Sequence, residues 1–398
     1  MEVSRTVPLP VDRLKGISGF SIDSVARAAG TDPDVLRLEN LDTDIPPPEA
    51  ALSATRHAVS TNDANSYLPF EGTTELRAAV AYHLHTLTGI HYRHDENVLI
   101  TCGGTEGLLD TLLATTDPGD EVVVTDPTYA GMIFRVRLAG AIPRFVPFVE
   151  RKGTWRLDLD ALGRAITPRT RAMFLMNPSM PSGAVFSAEE WSTISSFCVS
   201  RSLWLIYNAA MERILFDGAG LVHPATLPGM LDRTIIVGSL SKEFRMIGWR
   251  IGWVAGPAQI LGDIGRVHTY NVVSPPGIAQ PGAVAALVSP AGDLARCIEE
   301  WERRRNLMLT QLDGYPVIPP AGGWSLLLNV RKLGLDPEIA SRHLLERGRV
   351  AATPMTNWGD TVAPDYVRFV FSNESTQRLA GLRDRMMRTF GNPASYGT

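Results

Sequence analysis

The chain has 398 residues, 44% of them hydrophobic and 20% charged, with a formal net charge of -4. That is the composition of a globular protein with a large core, and at ~100–200 residues per domain it predicts two domains. The mild acidity excludes any built-in attraction for nucleic acid or anionic lipid. It still leaves room for a few basic residues to hold a small anion. Cys102, Cys198 and Cys297 are far apart and in no paired motif. This argues against a disulfide framework or a zinc site and fits a reducing compartment. Met1–Lys15 lacks a signal-peptide apolar core, and no run approaches the ~20 apolar residues that span a bilayer. A cytoplasmic protein is expected.

In chain order, Phe20–Ala29 reads as a short helix and Asp44–Pro48 as a proline-rich extended link. Seven short apolar runs follow: Asn97–Thr101, Glu121–Thr125, Arg144–Phe148, Ala172–Met176, Leu203–Tyr207, Thr234–Gly238 and Ile251–Ala255. They are aliphatic or β-branched, of strand length, and bounded by Gly, Pro, Asp or Asn. Helical patterns lie between several of them. Continuously apolar strands are those buried on both faces, so the expectation is an α/β fold with a mostly parallel seven-stranded sheet. That large domain should occupy residues 51–290. Beyond Ala291 come a charged helix with Glu299, Glu300, Glu302 and Arg303–Arg305, strands at Trp324–Val330 and Tyr366–Phe371, and a last helix near Glu374–Phe390. Residues 1–50 and 291–398 should together form a small α+β domain.

Three segments carry chemistry. Gly103-Gly104-Thr105-Glu106-Gly107 follows a strand and opens a helix. Backbone N–H groups at a helix start make an anion site, and glycine lets a ligand approach closely. Taken alone, the segment reads better as a plain strand-to-helix turn. Ser239-Leu240-Ser241-Lys242 leads into Gly248-Trp249-Arg250. A lysine just past a buried strand can act as a Schiff-base amine when its pKa is lowered, and Arg250 could turn back to fork a phosphate. Both are equally readable as loop charges. Asn177-Pro178-Ser179-Met180-Pro181-Ser182-Gly183 is a rigid turn at the C-terminal end of a strand, where α/β sheets bind ligands. By itself it is a structural turn.

Together, in this order, the segments resemble the class I/II aminotransferases, pyridoxal-phosphate (PLP) enzymes of fold type I. Asp126-Pro127-Thr128-Tyr129, Ser66-Tyr67, Gly72, Glu75-Leu76-Arg77 and Val367-Arg368-Phe369 extend the likeness over nearly the whole chain. The resemblance implies a PLP-dependent aminotransferase acting on an amino acid and a keto acid. Lys242 would bind the cofactor aldehyde and shuttle the proton. Gly104, Thr105, Ser239, Ser241 and Arg250 would hold the phosphate, with Tyr67 reaching the phosphate of a neighbouring subunit in a homodimer. Tyr129 would stack on the ring, Asn177 would hydrogen-bond its hydroxyl, and Arg368 would grip the substrate carboxylate.

The chain departs from the family pattern at Asn208-Ala209-Ala210-Met211, where Asp-x-x-Tyr is usual. Asn208 can hydrogen-bond the ring nitrogen but cannot hold it protonated by charge, and a protonated ring draws electrons more strongly. Met211 cannot hydrogen-bond the ring oxygen. Three explanations stand: an aminotransferase working with an unprotonated ring, an enzyme of elimination, replacement, cyclisation or oxidation, or a weakened variant. Leu41 stands near a position where the family often has glycine, and should crowd the substrate. Phe20, Leu68, Phe70, Trp324 and Trp358 are candidates for the side-chain pocket and equally for the core.

Overall fold

The computed structural model describes residues 11–19, 21–290 and 292–393. Phe20 therefore lies outside the described residues. The strands are β1 (Leu36–Arg37), β2 (Val98–Thr101), β3 (Glu121–Asp126), β4 (Ile142–Arg151), β5 (Thr154–Leu157), β6 (Thr170–Met176), β7 (Trp204–Asn208), β8 (Thr234–Ser239), β9 (Gly252–Ala255), β10 (Ser325–Asn329), β11 (Val350–Ala351), β12 (Thr353–Pro354) and β13 (Tyr366–Val370).

The large sheet has the order β2-β9-β8-β7-β6-β3-β4-β5. All seven apolar runs lie in it, but it has eight strands rather than seven. The extra strand, β5, pairs antiparallel with β4. The hairpin between them turns at Lys152 and Gly153, both at positive φ, the two-residue geometry that matches strand twist. The sequence reading stopped at Phe148 because Glu150, Arg151 and Lys152 break the apolar run. β4 is only partly buried, which is why its alternation is weak. By contrast β2, β3, β8 and β9 are buried along their whole length, as strands covered on both faces must be.

The core from β8 to β4 is parallel. β9 runs against both β2 and β8. Arg250, just before β9 begins, therefore comes to the same edge as the C-terminal ends of β2, β3, β6, β7 and β8. That edge is where α/β sheets place ligands.

The chain ends meet. β1 pairs with β11, and β13 is the centre of a three-stranded antiparallel sheet with β10 and β12. The charged helix runs Gly292–Gln311, as expected. The final helix is two pieces, Thr376–Leu379 and Leu382–Phe390, broken at Ala380–Gly381. Among the described residues, no helix is long and apolar enough to cross a membrane.

One carboxylate fastens a C-terminal loop to the large sheet. Asp126, at the end of β3, accepts from the backbone N–H of Thr361 (2.7 Å), Val362 (2.9 Å) and Ala363 (3.0 Å). Thr128 N–H donates to Trp358 O at 2.7 Å beside it. A side chain at Gly359 would collide with Asp126 Oδ1. Asp126→Ala should therefore cost about 3 kcal/mol of stability, since it removes three hydrogen bonds to a buried carboxylate, each worth ~1.5–3 kcal/mol at most, and only Ala363 N–H among the donors is buried. Urea unfolding checks this; a midpoint within error of wild type would contradict it.

Candidate active site

A cavity of about 210 Å³ opens at the sheet edge, lined among others by Gly104, Thr105, Ser239, Ser241, Lys242 and Arg250. At one end lies the turn before the helix Gly104–Thr115. Gly103 takes φ 78°, no side chain caps the helix, and a Cβ at Gly103 would collide with Arg250 Nη2. The first N–H groups of the helix are thus left for a ligand. Arg250 adopts the left-handed region at φ 53°, a strained choice for a residue other than glycine. It turns the guanidinium back onto Thr105 Oγ1 (Nη2, 3.2 Å) and Ser241 Oγ (Nη1, 3.3 Å). Ser239 Oγ accepts from Ser241 N–H at 3.1 Å. Hydroxyls, N–H groups and a guanidinium converge here with no carboxylate among them, which is the donor set for a phosphate.

Lys242 follows in the turn after β8. Its Nζ donates to Leu41 O at 2.6 Å and lies 5.0 Å from the centre of the Trp324 ring. Burial pushes this amine down to about 8, with Arg368 and Arg250 adding to the fall and Asp42 opposing it. A larger share of the amine is therefore free to act as a nucleophile at neutral pH than in an exposed lysine. Leu41 lines the cavity, and its carbonyl positions the amine.

Tyr129 and Ala210 also line the cavity. Tyr129 caps the helix Ala130–Leu138. Its ring lies where a Cβ at Gly131 would touch it. Asn208, at the end of β7, lines the cavity with Oδ1 accepting from Ala210 N–H at 3.2 Å.

Asn177 is a correction. It sits at the end of β6 but does not line the cavity. It is buried, its Oδ1 accepts from Phe186 N–H at 2.9 Å, and its carbonyl accepts from Tyr207 Oη at 3.3 Å. It braces the turn. Met180, three residues on, reaches the cavity in its place, alongside Met176 and Met211. No hydrogen-bonding residue in the sequence marked Met180, so sequence reasoning passed over it.

Arg368, on β13, is fully buried and faces the cavity. It donates to Glu39 O and, at 3.4 Å, to Thr353 Oγ1. Met180 Sδ is 3.7 Å from Nη1, and the guanidinium lies 4.7 Å from the Trp358 ring centre. Its Nε has no hydrogen-bond partner among the described residues. Burial pushes the group down to about 9, opposed by Glu39 and Tyr129, so it stays charged near neutrality. A buried cation with no carboxylate bonded to it is costly, and such groups mark anion sites.

The remaining candidates divide. Trp324 and Trp358 are buried beside Lys242 and Arg368. Tyr67 is 84% exposed and Phe70 is exposed too, both away from this cavity. Ile22, Leu108 and Ile247 line the cavity and went unnoticed in the sequence, since ordinary apolar residues carry no local sign of a ligand; Asn40, beside Leu41, lines it too.

A model of the family described as aminotransferase class I and II matches residues 34–385. The chain is 33% identical over 358 residues to a probable N-succinyldiaminopimelate aminotransferase of Mycobacterium tuberculosis, covering 85% of this chain and 90% of that one. It is 31% identical over 334 residues to an arginine–pyruvate transaminase of Pseudomonas aeruginosa, covering 83% and 84%. The solved structure of the Mycobacterium tuberculosis N-succinyldiaminopimelate aminotransferase superposes with a TM-score of 0.89 at 31% identity, covering 95% and 99%. Thermus thermophilus aspartate aminotransferase with maleate gives 0.87 at 28% identity, covering 96% and 100%.

Proposed function

Because the chain belongs to the class I and II aminotransferases and is an aminotransferase, we propose that its cavity holds pyridoxal 5'-phosphate, with Lys242 as the cofactor-binding amine. One observation carries this. A lysine of lowered pKa shares a cavity with two arginines, and none of the three is hydrogen-bonded to a carboxylate among the described residues. The residues fit the group: an open helix start and a hydroxyl-lined guanidinium for the phosphate, and an aromatic face at Tyr129 for a flat ring.

When bound, pyridoxal phosphate supplies an aldehyde that condenses with amines and a ring that draws electrons from the substrate α-carbon. Gly104 and Thr105 N–H groups, Ser239, Ser241 and Arg250 hold the phosphate. Arg368 receives the substrate carboxylate and so aims the α-hydrogen. Lys242 Nζ would be the amine that binds the aldehyde and the base that takes the substrate α-proton; Leu41 O, at 2.6 Å, would keep it within reach. Met176, Met180, Met211 and Leu108 exclude water. No Asp or Glu lines the cavity, so a cationic substrate side chain would meet no counter-charge from this chain, and an amino acid with an uncharged side chain suits it better.

Residues 51–290 serve as the cofactor-binding domain, with 1–50 and 291–398 as the small one. The exposed aromatics Tyr67 and Tyr270 support a homodimer in which Tyr67 completes the neighbour's phosphate site. Three free thiols suit the cytoplasm.

The test is a panel of amino acids, each with and without a keto-acid acceptor, read by absorbance and mass spectrometry. Amino-group transfer that needs the acceptor is the expected result. A second reading, elimination, replacement, cyclisation or oxidation, is favoured by Asn208 and Met211 lining the cavity where the family pattern has Asp and Tyr. It predicts product without any acceptor.

A further inference from the structure

We infer that Asn208 is locked as a hydrogen-bond donor towards the cavity, so that this enzyme holds the pyridine nitrogen of its cofactor in the unprotonated form. This rests on the cavity being a pyridoxal-phosphate site. Two independent observations support it.

The first is the orientation of the amide. Asn208 Oδ1 accepts from the backbone N–H of Ala210 at 3.2 Å. A backbone N–H can only donate, so the amide oxygen must face it and the Nδ2 group must face away. Flipping the amide would set two donors against each other. Among the described residues Nδ2 has no acceptor, although Asn208 is a lining residue and is buried. What the side chain offers the cavity is therefore an N–H. A pyridine nitrogen can accept that bond only while it carries a lone pair. A pyridinium would point its own N–H at another donor.

The second is charge. Lys242, Arg250 and Arg368 are the charged residues of the lining, and all three are cationic. Another positive charge on the ring would find no anion in the lining. Asp42, which opposes the loss of the Lys242 proton, stands outside it. Met211 and Met180 supply neither charge nor proton.

The experiment uses the holoenzyme reconstituted with pyridoxal phosphate labelled with nitrogen-15 in the ring, read by NMR at neutral pH. The wild-type signal should fall at the position of an unprotonated pyridine, and Asn208→Asp should move it to the pyridinium position. In parallel, an N-methylated pyridoxal phosphate, which cannot accept the bond, should bind wild type about tenfold or more weakly than the natural cofactor. That is what an unsatisfied buried donor costs. Asn208→Asp should narrow that gap. A pyridinium signal in wild type, or equal binding of the methylated cofactor, overturns the inference while leaving the cofactor assignment intact. Cofactor that binds without engaging Lys242 overturns both.

Discussion

Lys242→Ala should lower amino-group transfer by on the order of 10⁴-fold, and should abolish the visible absorbance of the protein with its cofactor. The loss combines two roles, covalent attachment and proton transfer at the α-carbon, and positioned proton transfer alone contributes about 10²–10⁴-fold. The environment gives a pH signature as well. Burial holds the amine at about 8 instead of the ordinary lysine value. The free amine is the reactive form, so reconstitution of apoprotein with pyridoxal phosphate should quicken as pH rises through about 8 and level off above it. An exposed lysine would keep gaining to well above pH 10. The same shift bears on stability. Unfolding lets the amine bind a proton at higher pH than it does when folded, so the penalty is complete below about 8 and fades as pH climbs towards the unfolded value. Stopped-flow absorbance across pH 6.5–10 reads the first effect. A rate still climbing steeply at the top of that range would exclude a depressed amine.

Arg368→Met should have opposite effects on activity and stability. Two charge-assisted hydrogen bonds to a carboxylate are each worth about 1.5–3 kcal/mol. Their loss should cut kcat/KM for amino acids by about 10²–10³-fold or more. Amines without a carboxylate should be affected far less, which separates lost recognition from a damaged fold. The apoprotein, meanwhile, should unfold at the same temperature or higher. Arg368 is fully buried with Nε unpartnered, and replacing buried charge by a well-packed apolar side chain is often stabilising by about 1–4 kcal/mol. Glu39 O keeps a donor in Thr353 Oγ1 at 3.1 Å, so no carbonyl is orphaned. Differential scanning fluorimetry of the apoprotein, paired with steady-state kinetics, reads both. A marked drop in melting temperature would mean that Arg368 supports the fold rather than a ligand.

The turn after β6 shows how the lining is decided. The resemblance gave Asn177 a role towards a bound ring; in the folded protein its amide oxygen is held by Phe186 N–H, which orients the Nδ2 donor, and Met180 of the same turn lines the cavity. Which residue of Asn177–Gly183 points inward depends on how the turn packs. Gly183 has positive φ and a Cβ there would collide with Pro320, while Ser325 Oγ donates to Pro181 O at 2.8 Å. Those contacts come from a segment almost 150 residues away, and no local pattern announces them.

Sequence alone located seven of the eight strands of the large sheet, because strands buried on both faces are predominantly apolar. It also singled out Lys242, Arg250 and the Gly103–Gly104 turn, each close to a strand end, while the roles proposed for them rest on the order of the motifs and the family resemblance they carry together. Tertiary structure decided the rest. The β5 hairpin depended on a turn hidden among charged residues, the Asp126 clasp joins segments 235 residues apart, and the donor face of Asn208 is set by one backbone N–H. Arg368 was recognisable in the sequence as an arginine, but its lack of a carboxylate partner became visible only once every neighbour was in place. Local sequence sets which groups stand at an edge; the partners that consume or spare their hydrogen bonds are supplied from afar, and those partners determine what each group has left to give a ligand.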